Sequence, residues 1–180
     1  QKAAFVYGIE IEPELIREAK IKRQKDNIVF ICADATTYDY TQCRPISCVT
    51  LSNVLEHISN DMGAIRDFYD NLSTGGVVKI LVPARMEIYS NMDKNVGHYR
   101  RYNKRDLMGK FTSAGFEVNY CRYFDFFGYC AAFLYKITGA SGSIPISSLK
   151  FYGAYIFPVS KFLDIFTFGM VAGKNIVLSA

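Results

Sequence analysis

Short apolar runs alternate along this chain with stretches whose apolar residues recur at helical spacing. Residues 5–11 (FVYGIEI) read as a strand. Pro13 follows where a first helical turn begins, with Glu12 and Glu14 beside it and a charged end at 20–25. Residues 27–33 (NIVFICA) are apolar on both faces, as in a buried parallel strand. A third strand is predicted over 46–52. Asn60 or Asp61 can then cap a helix with Ile65, Phe68, Tyr69 and Leu72 inside. Gly75-Gly76 is expected to end that unit before a strand over 77–82 that stops at Pro83. Asn103 caps a further helix with Leu107, Met108 and Phe111 inside, closed by Gly115. Strands over 116–121 and 175–179 complete the pattern.

Strands that alternate with helices place the chain in the α/β class with a mainly parallel sheet. The 180 residues suffice for one domain with a sizeable core. With 50% apolar and 21% charged residues, a disordered tail or a fibre is excluded. The net charge of +4 and pI near 8.7 are too mild to imply a nucleic-acid partner, and none is expected. The five cysteines form no C-x-x-C pair. Cys32 and Cys48 lie in apolar runs, so reduced, mostly buried thiols and a cytoplasmic setting are expected. No metal ligand set is assigned. No leader pattern is visible, and the longest apolar stretches, 124–134 and 156–172, are too short or too interrupted to span a bilayer.

In an open parallel sheet, ligands bind beyond the carboxyl ends of the strands. Glu10 closes the first strand and Asp34 follows the second. Neighbouring strands lie about 4.8 Å apart, so both carboxylates would stand near one ligand. One could accept both hydroxyls of a ribose and the other an exocyclic amine, which suits an adenosine. The alternative is a pair of solvated strand-end carboxylates.

At residues 51–58 (LSNVLEHI) the sequence resembles the class I S-adenosylmethionine-dependent methyltransferases. YGIEIEPELIREA resembles their second strand and helix, and CADATTYDY the segment that meets adenine. LSTGGVVKILVPA resembles the turn into their fifth strand. GHYRRYNKRDLMGKFTSAGFEV resembles the next loop, helix and strand of a bacterial type 11/12-like subgroup. The resemblance implies a Rossmann-like fold, S-adenosyl-L-methionine as cofactor, and methyl transfer to a small or lipid-linked acceptor. It implies cofactor contacts at Glu10, Ile11, Asp34, Ala35, Asn53 and Leu55.

The family opens with a central strand and a glycine-rich loop in strand order 3-2-1-4-5-7-6. No such loop stands in this sequence. The strands ending at Glu10 and Ser52 are therefore expected to pair directly or leave a gap, in an N-terminally truncated domain over 1–180.

His57 and His98 are the only histidines, and both fall in the resembling motifs. Imidazole titrates near neutral pH, so they are the candidate catalytic bases, although an activated methyl donor can manage without one. Tyr99, Arg100, Arg101 and Tyr102 are candidates to hold an anionic acceptor. The other reading of this loop is a basic turn with one arginine paired to Asp93 or Asp106. Residues 123–170 are an aromatic-rich insertion or lid, with 138–149 as its Gly/Ser-rich loop. With Lys136, Lys150 and Lys161 it could touch the inner membrane surface or simply pack on the sheet. Rival functions are a non-catalytic membrane-docking module and a dinucleotide-binding oxidoreductase. The latter shares the acid after the second strand but lacks the LEHI and HYRRY segments.

Overall fold

The computed structural model describes residues 5–23, 25–138, 145–166, 169 and 172–180. The chain divides into two compact units, Gln1–Ile46 and Ser47–Ala180.

In the first unit, β1 (Val6–Glu10) and β2 (Ile28–Cys32) pair in parallel, with Val6 opposite Ile28 and Glu10 opposite Cys32. A parallel pair needs a crossover, and α1 (Pro13–Lys22) supplies it. Pro13 starts the helix. Glu14 lies in its first turn, and Lys20 and Lys22 in its last, as the helix dipole favours. Ile16 is its buried residue.

The second unit carries a four-stranded sheet in the order β3-β4-β6-β5. Its strands are β3 (Ile46–Ser52), β4 (Leu72–Pro83), β5 (Tyr120–Phe124) and β6 (Asn175–Ser179). This order reproduces the expected 4-5-7-6. Among the described residues β1 pairs with β2 alone, and β3 with β4 alone, in two separate sheets. β6 is antiparallel to both neighbours, which makes the sheet mixed. The cause is local: Phe124 at the end of β5 lies opposite Asn175 at the start of β6, so the chain re-enters the sheet, between β4 and β5, at the same end where β5 left it.

Val78, Ile80 and Val82 alternate onto one buried face of β4, and Ile176 and Leu178 are their buried neighbours on β6. The helices α2 (Asp61–Asn71) and α4 (Lys104–Ser113) pack together and bury Ile65, Phe68, Leu107 and Phe111. Asn60 caps α2 by accepting from the Gly63 amide at 3.0 Å.

Five sequence expectations need correction. β5 begins at Tyr120, not at residue 116. Gly115 takes φ 105° after α4, and Phe116 turns back so that its ring lies 5.0 Å from Tyr69 and 5.3 Å from Phe111. A hydrophobic contact beyond a helix C-terminus closes the helix rather than starting a strand. Tyr69 and Met108, expected inside, are exposed. β4 begins at Leu72, and Gly75 (φ 76°) bends it instead of preceding it. All five thiols are free, but Cys32 and Cys48 are exposed and only Cys43 is buried. The expected loop over 138–149 is helical from Ile146; residues 139–144 lie outside the described residues.

The aromatic segment forms α5 (Phe126–Ile137), α6 (Ile146–Phe151), a π-helical turn over Tyr152–Ile156 and α7 (Phe157–Phe166). A short α3 (Asn91–Asn95) precedes α4, with a Ser90–Asp93 capping box. Asp125, at φ 67°, caps α5 by accepting from the Gly128 amide, and the Tyr152 hydroxyl donates to the same oxygen. Asp164 of α7 accepts from the Asp125 amide at 2.5 Å, and Ser160 from the Phe127 amide at 3.0 Å. These polar contacts fix α7 against the start of α5.

Candidate functional site

In the first unit, Glu10 and Asp34 follow the carboxyl ends of adjacent parallel strands. Each spends one oxygen on its own turn. Glu10 Oε1 accepts from the amides of Ile11 (2.8 Å) and Glu12 (3.1 Å). Asp34 Oδ1 accepts from the Thr36 amide (2.8 Å) and hydroxyl (2.7 Å). The Thr36 amide, then its hydroxyl, hold the Asp34 carboxyl below the usual range. Glu10 Oε2 and Asp34 Oδ2 remain as acceptors, so the residues fit a ligand that offers hydroxyls and an amine. Ile11 is exposed beside Glu10. Ala35 is half-buried, and its carbonyl accepts from the Tyr40 hydroxyl at 2.7 Å.

In the second unit, β3 ends at Ser52 and Asn53 takes φ 52°, a left-handed conformation that asparagine tolerates. Its amide donates to the Leu81 carbonyl at 2.9 Å. This twist leads into a 3₁₀ turn over Leu55–His57. The turn sends Leu55 and Glu56 inward and leaves His57 exposed.

Glu56 is 0% exposed, and neither of its carboxylate oxygens has a hydrogen-bond partner. Burial pushes its pKa up to about 7, against its own backbone N–H and the opposing charge of Arg101. His98 reaches it from the loop after α3: Nε2 lies 3.8 Å from Glu56 Oε1. On the other side of that ring, Nδ1 lies 3.0 Å from Asp93 Oδ1. Asp93 is itself buried, and accepts from Arg101 Nε at 2.8 Å and from the Ser90 amide at 2.9 Å. Burial works against its charge, but Arg101, the Ser90 amide and His98 outweigh burial and keep its pKa low. Burial lowers the His98 pKa, with Asp93 opposing. The His57 and His98 rings meet edge to face at 4.7 Å. Glu56, His57 and His98 each present a ligand atom within 4.8 Å of the others.

A second hub braces the same loop. Asp61 at the start of α2 binds Arg100 at 2.9 Å and Lys110 at 3.2 Å, and accepts from the Tyr102 hydroxyl at 3.0 Å. Arg100 also donates to the carbonyls of Ile58 and Ser59, and Arg101 to that of Ala84. The Tyr102 backbone bonds Pro83 and Arg85 at the end of β4.

Of the four residues expected to meet an acceptor, Tyr99 is 60% exposed, while Arg100, Arg101 and Tyr102 direct their polar atoms to the protein. The alternative Arg101–Asp93 pairing is present. His57 and His98 stand together. Leu55 is core, and its carbonyl receives the Tyr102 hydroxyl at 3.2 Å. Sequence reasoning missed Glu56, Asp93 as partner of His98, and Asp61. The signals were there: Glu56 directly precedes His57, and Asp93 stands five residues before His98.

Residues 1–80 match the family model described as a methyltransferase domain. Among curated proteins, none matches the sequence significantly. The fold is similar to that of an S-adenosylmethionine-dependent methyltransferase from Mesorhizobium loti (TM-score 0.62, 12% identity, 98% of this chain and 80% of that one). It is similar to the N-methyltransferase NodS from Bradyrhizobium japonicum, solved with S-adenosyl-L-homocysteine (0.50, 15%, 65% and 57%). It is also similar to the [4+2]-cyclase SpnF (0.56, 17%, 99% and 67%). At these identities the structural likeness shows a shared fold alone.

Proposed function

We propose, for a chain whose residues 1–80 belong to the methyltransferase-domain family and whose fold is that of the class I S-adenosylmethionine-dependent methyltransferases, that its acceptor is amphiphilic and lipid-linked. The observation that carries this is the apolar surface of α5 to α7. Ile137, Ile146, Phe151, Tyr155, Phe162 and Phe166 are all exposed there, Ile146 at 72% and Phe166 at 68%. Exposed large apolar side chains in this number suit an apolar partner or a membrane surface. Among the described residues no helix is long and apolar enough to cross a membrane. The surface therefore suits an acceptor whose apolar chain lies along the helices.

When bound, S-adenosyl-L-methionine supplies a methyl group already activated on a sulfonium. Glu10 would accept from the ribose hydroxyls and Asp34 from the adenine amine, through the oxygens their turns leave free, with Ile11 and Ala35 beside them. The family resemblance assigns Asn53 and Leu55 to the cofactor as well. His57 and His98 would border the acceptor's nucleophilic atom. Tyr99 is the exposed aromatic that would pack on the acceptor. Arg100, Arg101 and Tyr102 would hold the loop in shape for it.

The test is methyl transfer from labelled cofactor to a pair of acceptors that share a head group and differ only in the length of an acyl or prenyl chain. Faster transfer to the long-chain acceptor is expected, and Phe162→Ser with Phe166→Ser should lower kcat/KM for it alone. Equal rates for both acceptors would overturn the proposal. Co-sedimentation with liposomes without transfer to either acceptor would favour a docking module.

A further inference from the structure

Glu56, His57 and His98 pose a chemical question. A buried carboxylate without hydrogen bonds is costly and calls for a partner. The neighbouring His98 does not provide one. Asp93 accepts from His98 Nδ1, so in the neutral ring that nitrogen carries the proton and Nε2 presents its lone pair. The lone pair faces Glu56 Oε1 at 3.8 Å, beyond hydrogen-bond reach. With Glu56 ionised, two acceptors thus confront one another inside the protein. A cation between them satisfies both.

We infer that Glu56, His57 and His98 form a binding site for a divalent first-row transition metal. Two imidazoles and one carboxylate are a donor set that zinc and its neighbours take, whereas magnesium and calcium favour oxygen alone. With metal–ligand bonds of about 2.1 Å, two ligands at tetrahedral angles lie about 3.4 Å apart. The three ligand atoms lie within 4.8 Å of one another, so a bound metal requires them to draw together to that spacing. Asp93 supplies the carboxylate that such sites place behind a metal-bound histidine, and Arg101 in turn anchors Asp93. Asp93 is thus a positioning residue. His57 is exposed, so the coordination positions on its side are open to water or to an oxygen of an acceptor. Metal binding does not rest on the methyl-transfer reading: a chain that binds metal and transfers no methyl group would defeat that reading and leave this one standing.

The test is calorimetric titration of zinc into the chelator-treated chain, with cobalt(II) as a spectroscopic probe. One equivalent should bind, and the cobalt spectrum should lack thiolate charge-transfer bands. Glu56→Gln should weaken binding by more than the roughly 10–100-fold expected of Asp93→Asn behind the ligands. His57→Gln alters an exposed side chain, so its expected loss of affinity can be read in a folded protein. The inference is overturned if the folded chain binds no metal, or if neither ligand variant weakens binding. It is also overturned if thiolate bands appear and vanish in Cys32→Ser or Cys48→Ser.

Discussion

His98 Nε2 faces Glu56 Oε1 at 3.8 Å with no hydrogen bond between them, while the far side of the same imidazole is held by Asp93 at 3.0 Å. The two buried carboxylates therefore differ in what they contribute to the fold. Asp93 neutralises Arg101 and orders His98, whereas Glu56 bonds to nothing. In the presence of a chelator, Asp93→Ala should cost about 3–5 kcal/mol, because it leaves a buried guanidinium uncompensated. Glu56→Gln removes no hydrogen bond and relieves a buried charge, so it should not destabilise the fold at neutral pH. Urea denaturation checks both, and equal losses would contradict the assignment.

Asp61 ties α2, α4 and the loop before α4 through Tyr102, Lys110 and Arg100. Burial opposes its charge, but these three partners outweigh burial and hold its pKa below the usual carboxylate value. A depressed folded pKa means that the ionised form is the one the fold stabilises. That stabilisation is complete above the unfolded value of about 3.9 and is lost as pH falls through the folded value. Asp61→Asn should cost about 2–3 kcal/mol at neutral pH. The gap in Tm between wild type and variant should narrow below about pH 4. A gap that stays constant down to pH 2 would contradict this account.

Two glycines around α4 should respond in opposite directions. Gly115 has φ 105°, and a Cβ there would stand 2.7 Å from the Tyr69 ring, so Gly115→Ala should cost about 1–3 kcal/mol. Gly109 lies inside α4 with nothing within 4 Å of a Cβ, so Gly109→Ala should stabilise by about 0.5–1 kcal/mol. Thermal unfolding of the two variants is the check.

The sequence carried the α/β architecture well because its strands are bounded by residues with one physical meaning. Ile46–Ser52 and Asn175–Ser179 fall where the apolar runs do, and Pro13 and Asn60 mark helix starts. It misplaced β5 because Phe116 satisfies an apolar pattern while serving as a plug at the end of α4. Periodicity cannot tell a buried ring in a turn from one in a strand. At the candidate site, the two histidines were visible as residues, but their setting was not. Asp93 is brought to His98 by a capped turn, and Glu56 is turned inward by the twist at Asn53. Arg100 looked like a ligand for an anion because its partner, Asp61, lies far away in the chain.

The most direct measurement is calorimetric titration of S-adenosyl-L-homocysteine into the chain and into its Glu10→Ala and Asp34→Ala variants. The account expects saturable binding that each substitution weakens by about 1.5–3 kcal/mol, the worth of a hydrogen bond to a charged group. A folded chain that binds no S-adenosyl-L-homocysteine, or binds it with the same affinity in all three forms, would contradict the assignment of these carboxylates to the adenosine.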